Sequence, residues 1–180
     1  STDLVKAYVE TANHLGSEYI TVPYVVQELR GVSGDDYKKL AEQVNKFGEL
    51  CKAGGLKLAY HNHDFEFTKF GDTNGYEILL NETDKNLVYF ELDLYWVMYS
   101  GNDPLQLFKQ NPERFKMWHV KDMDKNNQAL NTEVGSGSRS GHCLRVHSND
   151  EHCRGRRYPR NRRHRPRCPP PLRQGQASGG

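Results

Sequence analysis

Cysteine is scarce, no apolar run is long, and lysine stops at Lys125 in this 180-residue sequence. Before residue 136 the only cysteine is Cys51, on a segment of helical period. That excludes a disulfide framework and fits a reducing compartment, by default the cytoplasm. No stretch reads as a membrane span or a signal peptide, so no membrane partner is expected. The first residues already read as the middle of a fold, so an earlier segment is expected to be missing. Residues 1–135 hold 12 Lys and 2 Arg against 21 acids, net −7, whereas residues 136–180 hold 11 Arg and no Lys against 2 acids, net +9. The overall charge of +2 averages two unlike segments. The second has almost no aliphatic residues, five of the eight prolines, and Cys143, Cys153 and Cys168. It has too little apolar surface to fold alone and is expected to be an unstructured basic tail over 138–180.

What is present is organised around residues 56–67. Apolar Leu56, Leu58 and Tyr60 alternate with Lys57, Ala59 and His61 behind two glycines, which predicts a strand over 56–61. His61, His63, Asp64 and Glu66 then follow within six residues. Two further apolar runs end the same way, 87–92 in Asp93 and 115–118 in His119, Lys121 and Asp122. Ligand-type residues closing three such runs, with helical material between, suit a parallel α/β sheet whose site lies at the carboxyl ends of its strands.

The remaining pattern agrees. Leu4, Ala7, Tyr8, Ala12 and Leu15 share one face of a helix over 3–15 that stops at Gly16. A β-branched and aromatic stretch predicts a strand over 18–24, with its functional end near Tyr24. Tyr37, Leu40, Ala41, Val44, Phe47 and Cys51 mark a second helix, closed by Gly54 and Gly55. A short helix through Tyr76, Ile78, Leu79 and Leu80 precedes a strand over 87–93 that is apolar apart from Glu91, as in a strand covered on both faces. Asp103 and Pro104 open another helix, and 115–120 is the fourth strand. Beyond Gly137 neither period is found.

His61, His63 and Glu66 offer the imidazole and carboxylate that suit Mn²⁺, Zn²⁺, Fe²⁺ or Co²⁺, or they are polar residues of a loop leaving a strand. Asp93 closes an apolar strand, where burying a carboxylate costs several kcal/mol unless a cation or donors meet it. The bland alternative is that it caps the following turn. His119 and Lys121 fall on one face of their strand end and Asp122 on the other.

The phrases Tyr60-His61-Asn62-His63-Asp64-Phe65-Glu66-Phe67, Glu91-Leu92-Asp93-Leu94-Tyr95-Trp96 and His119-Val120-Lys121-Asp122, with Glu133-Val134-Gly135-Ser136-Gly137 after them, resemble the sugar phosphate isomerase/epimerase family. Its fold is a xylose-isomerase-like TIM barrel, and the resemblance covers about residues 1–137. It implies a divalent metal (Mn, Zn, Co, Fe or Mg) held by four strand-end ligands. Glu66, Asp93 and His119 fall on the first three, with His61 a rival to Glu66 for the first. The fourth has no counterpart, since Asp150 and Glu151 lie in no strand context. The implied reaction is proton transfer beside a carbonyl through an enediolate of a small sugar or sugar phosphate, with Glu66, Lys121 and His63 as catalytic residues. Relatives on this scaffold that dehydrate or cleave keto-sugars and inososes leave a lyase open as the alternative.

A closed barrel takes about 250 residues, so the expectation is a partial (β/α)₈ barrel of about four parallel strands over 1–137. Such a fragment should be inactive, with open sheet edges that favour homo-oligomers or aggregation. A rival of another class reads the tail as the functional part. Its arginines could bind nucleic-acid phosphates, and His142, Cys143, His147, His152, Cys153, His164 and Cys168 could bind zinc. Neither spacing matches a known finger, and only Tyr158 interleaves. The abrupt change from Lys to Arg, with Pro, Cys, His and Gly enriched, points instead to out-of-frame translation.

Overall fold

The computed structural model describes residues 2–137, so the readings of the basic tail lie outside the described residues. In chain order the elements are α1 (Thr2–His14), β1 (Tyr19–Val22), a 3₁₀ turn (Gln27–Leu29), α2 (Gly34–Ala53), β2 (Lys57–His61) and a second 3₁₀ turn (Phe65–Phe67). A two-residue hairpin follows, β3 (Lys69–Phe70) and β4 (Thr73–Asn74), then α3 (Gly75–Glu82), β5 (Val88–Asp93), α4 (Leu94–Tyr99), α5 (Pro104–Gln110) and β6 (Phe115–His119). A last small hairpin pairs β7 (Asp122–Met123) with β8 (Asn131–Thr132).

Strands β1, β2, β5 and β6 form one parallel sheet in that order. The four expected strands are thus all present and all parallel. Parallel pairing brings their carboxyl ends to one edge, and the register fixes which residues meet there: His61 lies beside Glu91, and Asp93 beside His119. The central strands carry the core. Leu58, Tyr60, Val88, Phe90 and Leu92 are buried, and α2 covers them with Tyr37, Ala41, Val44 and Cys51 at helical spacing.

The helix boundaries follow from local chemistry. Ser33 accepts a hydrogen bond from the Asp36 N–H, and the Asp36 carboxylate accepts one from the Ser33 hydroxyl at 2.7 Å, which starts α2. Gly55, at φ +79°, ends it. Helix α4 and the two hairpins go beyond the sequence expectation. Helix α4 occupies the run after Asp93, where apolar and aromatic residues are continuous and show no period, and the hairpins are too short to leave one. Among the described residues no helix is long and apolar enough to cross a membrane.

Candidate functional site

Asp93 is the last residue of β5, and its carboxylate is fully buried. Its two oxygens do different things. Oδ1 accepts the Tyr95 and Trp96 N–H groups at 3.0 and 3.2 Å and so caps α4. Oδ2 faces Lys121 Nζ at 2.8 Å, His119 Nδ1 at 3.3 Å and His61 Nε2 at 3.4 Å. One side chain thus caps α4 with one oxygen and turns the other toward Lys121, His119 and His61. Burial alone would raise the Asp93 pKa, but the contacts with His61 and Lys121 outweigh it and hold the group below the usual 3.8. Asn62 locks the strand ends together, accepting the Asp93 N–H at 2.9 Å and donating to the Asp93 carbonyl at 3.4 Å.

His61, Asp93 and His119 each offer one ligand atom, and these atoms lie within 4.8 Å of one another. The donor chemistry suits a cation. Glu91 lies 3.2 Å from His61 Nδ1, and if that nitrogen carries the proton, Nε2 turns a lone pair toward Asp93 Oδ2. Oδ2 is buried against the Lys121 ammonium and the two imidazole nitrogens. One carboxylate oxygen and two imidazoles converging on one point are a donor set that suits a divalent ion. Burial lowers the His61 pKa, yet Asp93 and Glu91 bring it above its ordinary value; for His119 burial prevails and the value falls.

Of the two rivals for the first ligand, the geometry brings His61 into this set and leaves Glu66 outside it. The 3₁₀ turn at Phe65–Phe67 carries Glu66 back beneath the strand end, where its carboxylate accepts the Tyr60 hydroxyl and the His63 N–H, each at 2.8 Å. Burial raises its pKa to about 7. Asp64 is also outside the set. His63 sits beside it, its ring 5.0 Å from that of His61, stacked on Phe65 and flanked by Tyr24 and Trp96. Burial, then the neighbouring His61, lowers the His63 pKa to about 4. Arg30 lies over the Phe65 ring, 3.7 Å from its centroid.

Asp122, grouped by sequence with His119 and Lys121, serves the chain instead. It is buried and accepts the Gly135 and Gly137 N–H groups at 2.9 Å, tying that loop to the strand end. Sequence reasoning passed over Glu91, Asn62, Trp96 and Arg30. Glu91 had a signal, the lone charge in an apolar strand; Asn62 had none beyond lying between His61 and His63, and Trp96 none beyond following Asp93 by three residues.

Residues 1–164 match the family described as xylose isomerase-like TIM barrel. An inosose dehydratase of Clostridium perfringens is 33% identical over an alignment of 135 residues that covers 67% of this chain and 45% of that protein. The chain thus spans about half the length of the curated relatives it matches. Among solved structures, a sugar phosphate isomerase/epimerase from Parabacteroides distasonis is 30% identical with a TM-score of 0.64, over 74% of this chain and 47% of that one. The IOLI protein, solved with a binding zinc atom, is 18% identical with a TM-score of 0.60, over 76% of this chain and 51% of that one, a likeness of fold alone.

Proposed function

The chain belongs to the xylose isomerase-like TIM barrel family, and we propose that its site serves divalent-metal-dependent proton transfer beside the carbonyl of a small polyhydroxylated ketone, completed by loss of water. The observation that carries this reading is the meeting of His61, Asp93 and His119 at adjoining strand ends, with the Lys121 ammonium against Asp93. A divalent ion held by those three side chains would polarise the substrate carbonyl and stabilise the charge of the enolate.

The chain's own residues supply the rest. His63 is uncharged at neutral pH and has a buried Nδ1 without a hydrogen-bond partner, so it can accept a proton or a substrate hydroxyl. Glu66 positions His63, since its oxygens are engaged by the Tyr60 hydroxyl and the His63 backbone N–H. Lys121 is the proton donor. In dehydration the C–H bond beside the carbonyl breaks and its proton passes to the base; the C–O bond one carbon further breaks, and the hydroxyl leaves with a proton from Lys121 as water. Loss of water is placed first because the 33%-identical relative is an inosose dehydratase. Isomerisation or epimerisation of a sugar phosphate is the second reading, favoured by the 30%-identical structure. Both begin with the same proton abstraction.

The described residues bring three ligands together where the resemblance implies four. Net turnover by the 180-residue chain is therefore expected to be below detection, while the first step should still register. NMR in D₂O with excess Mn²⁺ should show deuterium entering beside the carbonyl of an inosose faster than in protein-free solution, and Asp93→Asn should abolish the gain. Interconversion of a ketose and an aldose phosphate would select the second reading. Exchange that survives Asp93→Asn would overturn the site, and net turnover would show that three ligands suffice.

A further inference from the structure

We infer that Lys121 is a resident cation, which neutralises Asp93 while no metal is bound and must leave Oδ2 before a divalent ion can occupy the site. The inference rests on the metal reading above and adds a competition that sets metal affinity. Oδ1 of Asp93 is committed to the first N–H groups of α4, so the charge left to compensate falls on Oδ2. That oxygen has no access to water, and the nearest nitrogen is the Lys121 ammonium at 2.8 Å, inside the distances of His119 and His61. A carboxylate so placed needs a counter-charge in either state.

The two cations exclude each other. A carboxylate oxygen binds Zn²⁺ at about 2.0–2.2 Å, and a metal at that range from Oδ2 with an ammonium still at 2.8 Å from it would set like charges against each other around a buried oxygen. The Trp96 ring is within reach as a second partner. From its place on Asp93, Nζ lies 5.8 Å from the ring centroid, at the outer limit of a cation–π contact, and half-buried Lys121 has a flexible stem with which to close on it. On leaving Asp93 it would stand beside the His63 and Trp96 rings, where a substrate hydroxyl would be met.

If Lys121 merely helped to hold the site, removing it would weaken metal binding or leave it alone. If Lys121 competes, Lys121→Met bares Asp93 in the metal-free protein. The metal-free variant should melt lower than wild type, bind Mn²⁺ and Zn²⁺ at least roughly tenfold more tightly by calorimetry, and regain wild-type melting when saturated with Mn²⁺. In an Asp93→Asn background the same change should leave the melting temperature where it was. Lys121→Arg, whose fork grips a carboxylate in two bonds, should weaken metal binding below wild type, and this variant decides the matter should Lys121→Met fail to fold without metal. Equal or weaker metal binding by Lys121→Met, or unchanged binding by Lys121→Arg, would overturn the competition and leave the metal site standing. Absence of Mn²⁺ and Zn²⁺ binding in wild type and variants alike would overturn the metal reading and this inference together.

Discussion

Glu66 lies fully buried between the Tyr60 hydroxyl and the His63 backbone, and a carboxyl group so placed makes stability depend on pH. Its pKa is raised from 4.5 to about 7, so between those values the folded state holds a proton that the unfolded chain has released. The stability this contributes is complete below pH 4.5 and is lost as pH rises through about 7, amounting to roughly 3 kcal/mol over the whole window. His63, lowered to about 4, acts in the opposite sense below pH 6.5, so the Glu66 contribution is read as the difference between wild type and Glu66→Gln in melting curves from pH 4.5 to 8. The advantage of wild type should shrink by that amount as pH rises through the window, with Glu66→Gln on a lower baseline at low pH because the amide cannot accept from both of the present donors. Parallel curves for the two chains would remove Glu66 as a source of pH dependence. Asp93 separates two functions in the same way. Asp93→Asn keeps an oxygen for the Tyr95 and Trp96 N–H groups but loses the charge, so metal binding should disappear while α4 stays capped. Asp93→Ala should lose metal binding and about 1 kcal/mol of stability besides. His119→Ala should also abolish binding in calorimetric titration, and His147→Ala should not. Binding that survived the first two changes and vanished on truncation at Gly137 would move the site to the tail.

At the scale of elements, α2 owes its position to Gly48. A Cβ added there would stand 2.9 Å from both the Cβ and the backbone oxygen of Leu87, in the turn that leads into β5. Alanine would improve helix propensity by up to about 1 kcal/mol, but the backbone contact cannot yield without shifting the helix from the sheet, at a cost of roughly 1–3 kcal/mol. Gly48→Ala should therefore lower the denaturation midpoint; a gain in stability would show that the helix can slide. What the sequence disclosed about these elements divides on physical lines. Helix α2 was legible because Tyr37, Ala41, Val44 and Cys51 keep a helical period, and β2, β5 and β6 because apolar runs end abruptly in Asp93, His119 and the His61 cluster. Helix α4 was not, because its six residues contrast with nothing around them, and its one signal, the capping Asp93, was also the best candidate ligand. The choice between His61 and Glu66 could not be read from spacing, since periodicity fails where a strand gives way to a 3₁₀ turn. Pairing register separates their positions: His61 is still in β2, beside Glu91, whereas Glu66 has already turned under Tyr60.

At the scale of the whole molecule, the sheet formed by the described residues has β1 and β6 as its outer strands. Every residue of β1 is only partly buried, and Trp118 on β6 is 40% exposed. An outer strand offers backbone N–H and C=O groups to any strand that can align with it, and protection would come from charge or proline in the strand. β1, Tyr-Ile-Thr-Val, has neither, while β6 carries Lys116 and His119. Exposed apolar side chains add to the tendency: Leu4 and Tyr8 on α1, and Val26, Leu29 and Val32 in the segment between β1 and α2. The 180-residue chain is therefore expected to self-associate, with β1 the more adhesive edge. Sedimentation velocity over a range of concentrations should show species larger than the monomer, and Ile20→Lys, which sets a charge on β1, should reduce them more than a charge at Met117 on β6. A monodisperse monomer with one cooperative thermal transition would mean that the four strands are self-sufficient, and association unaffected by Ile20→Lys would transfer the contact from the sheet edge to the apolar surface of α1.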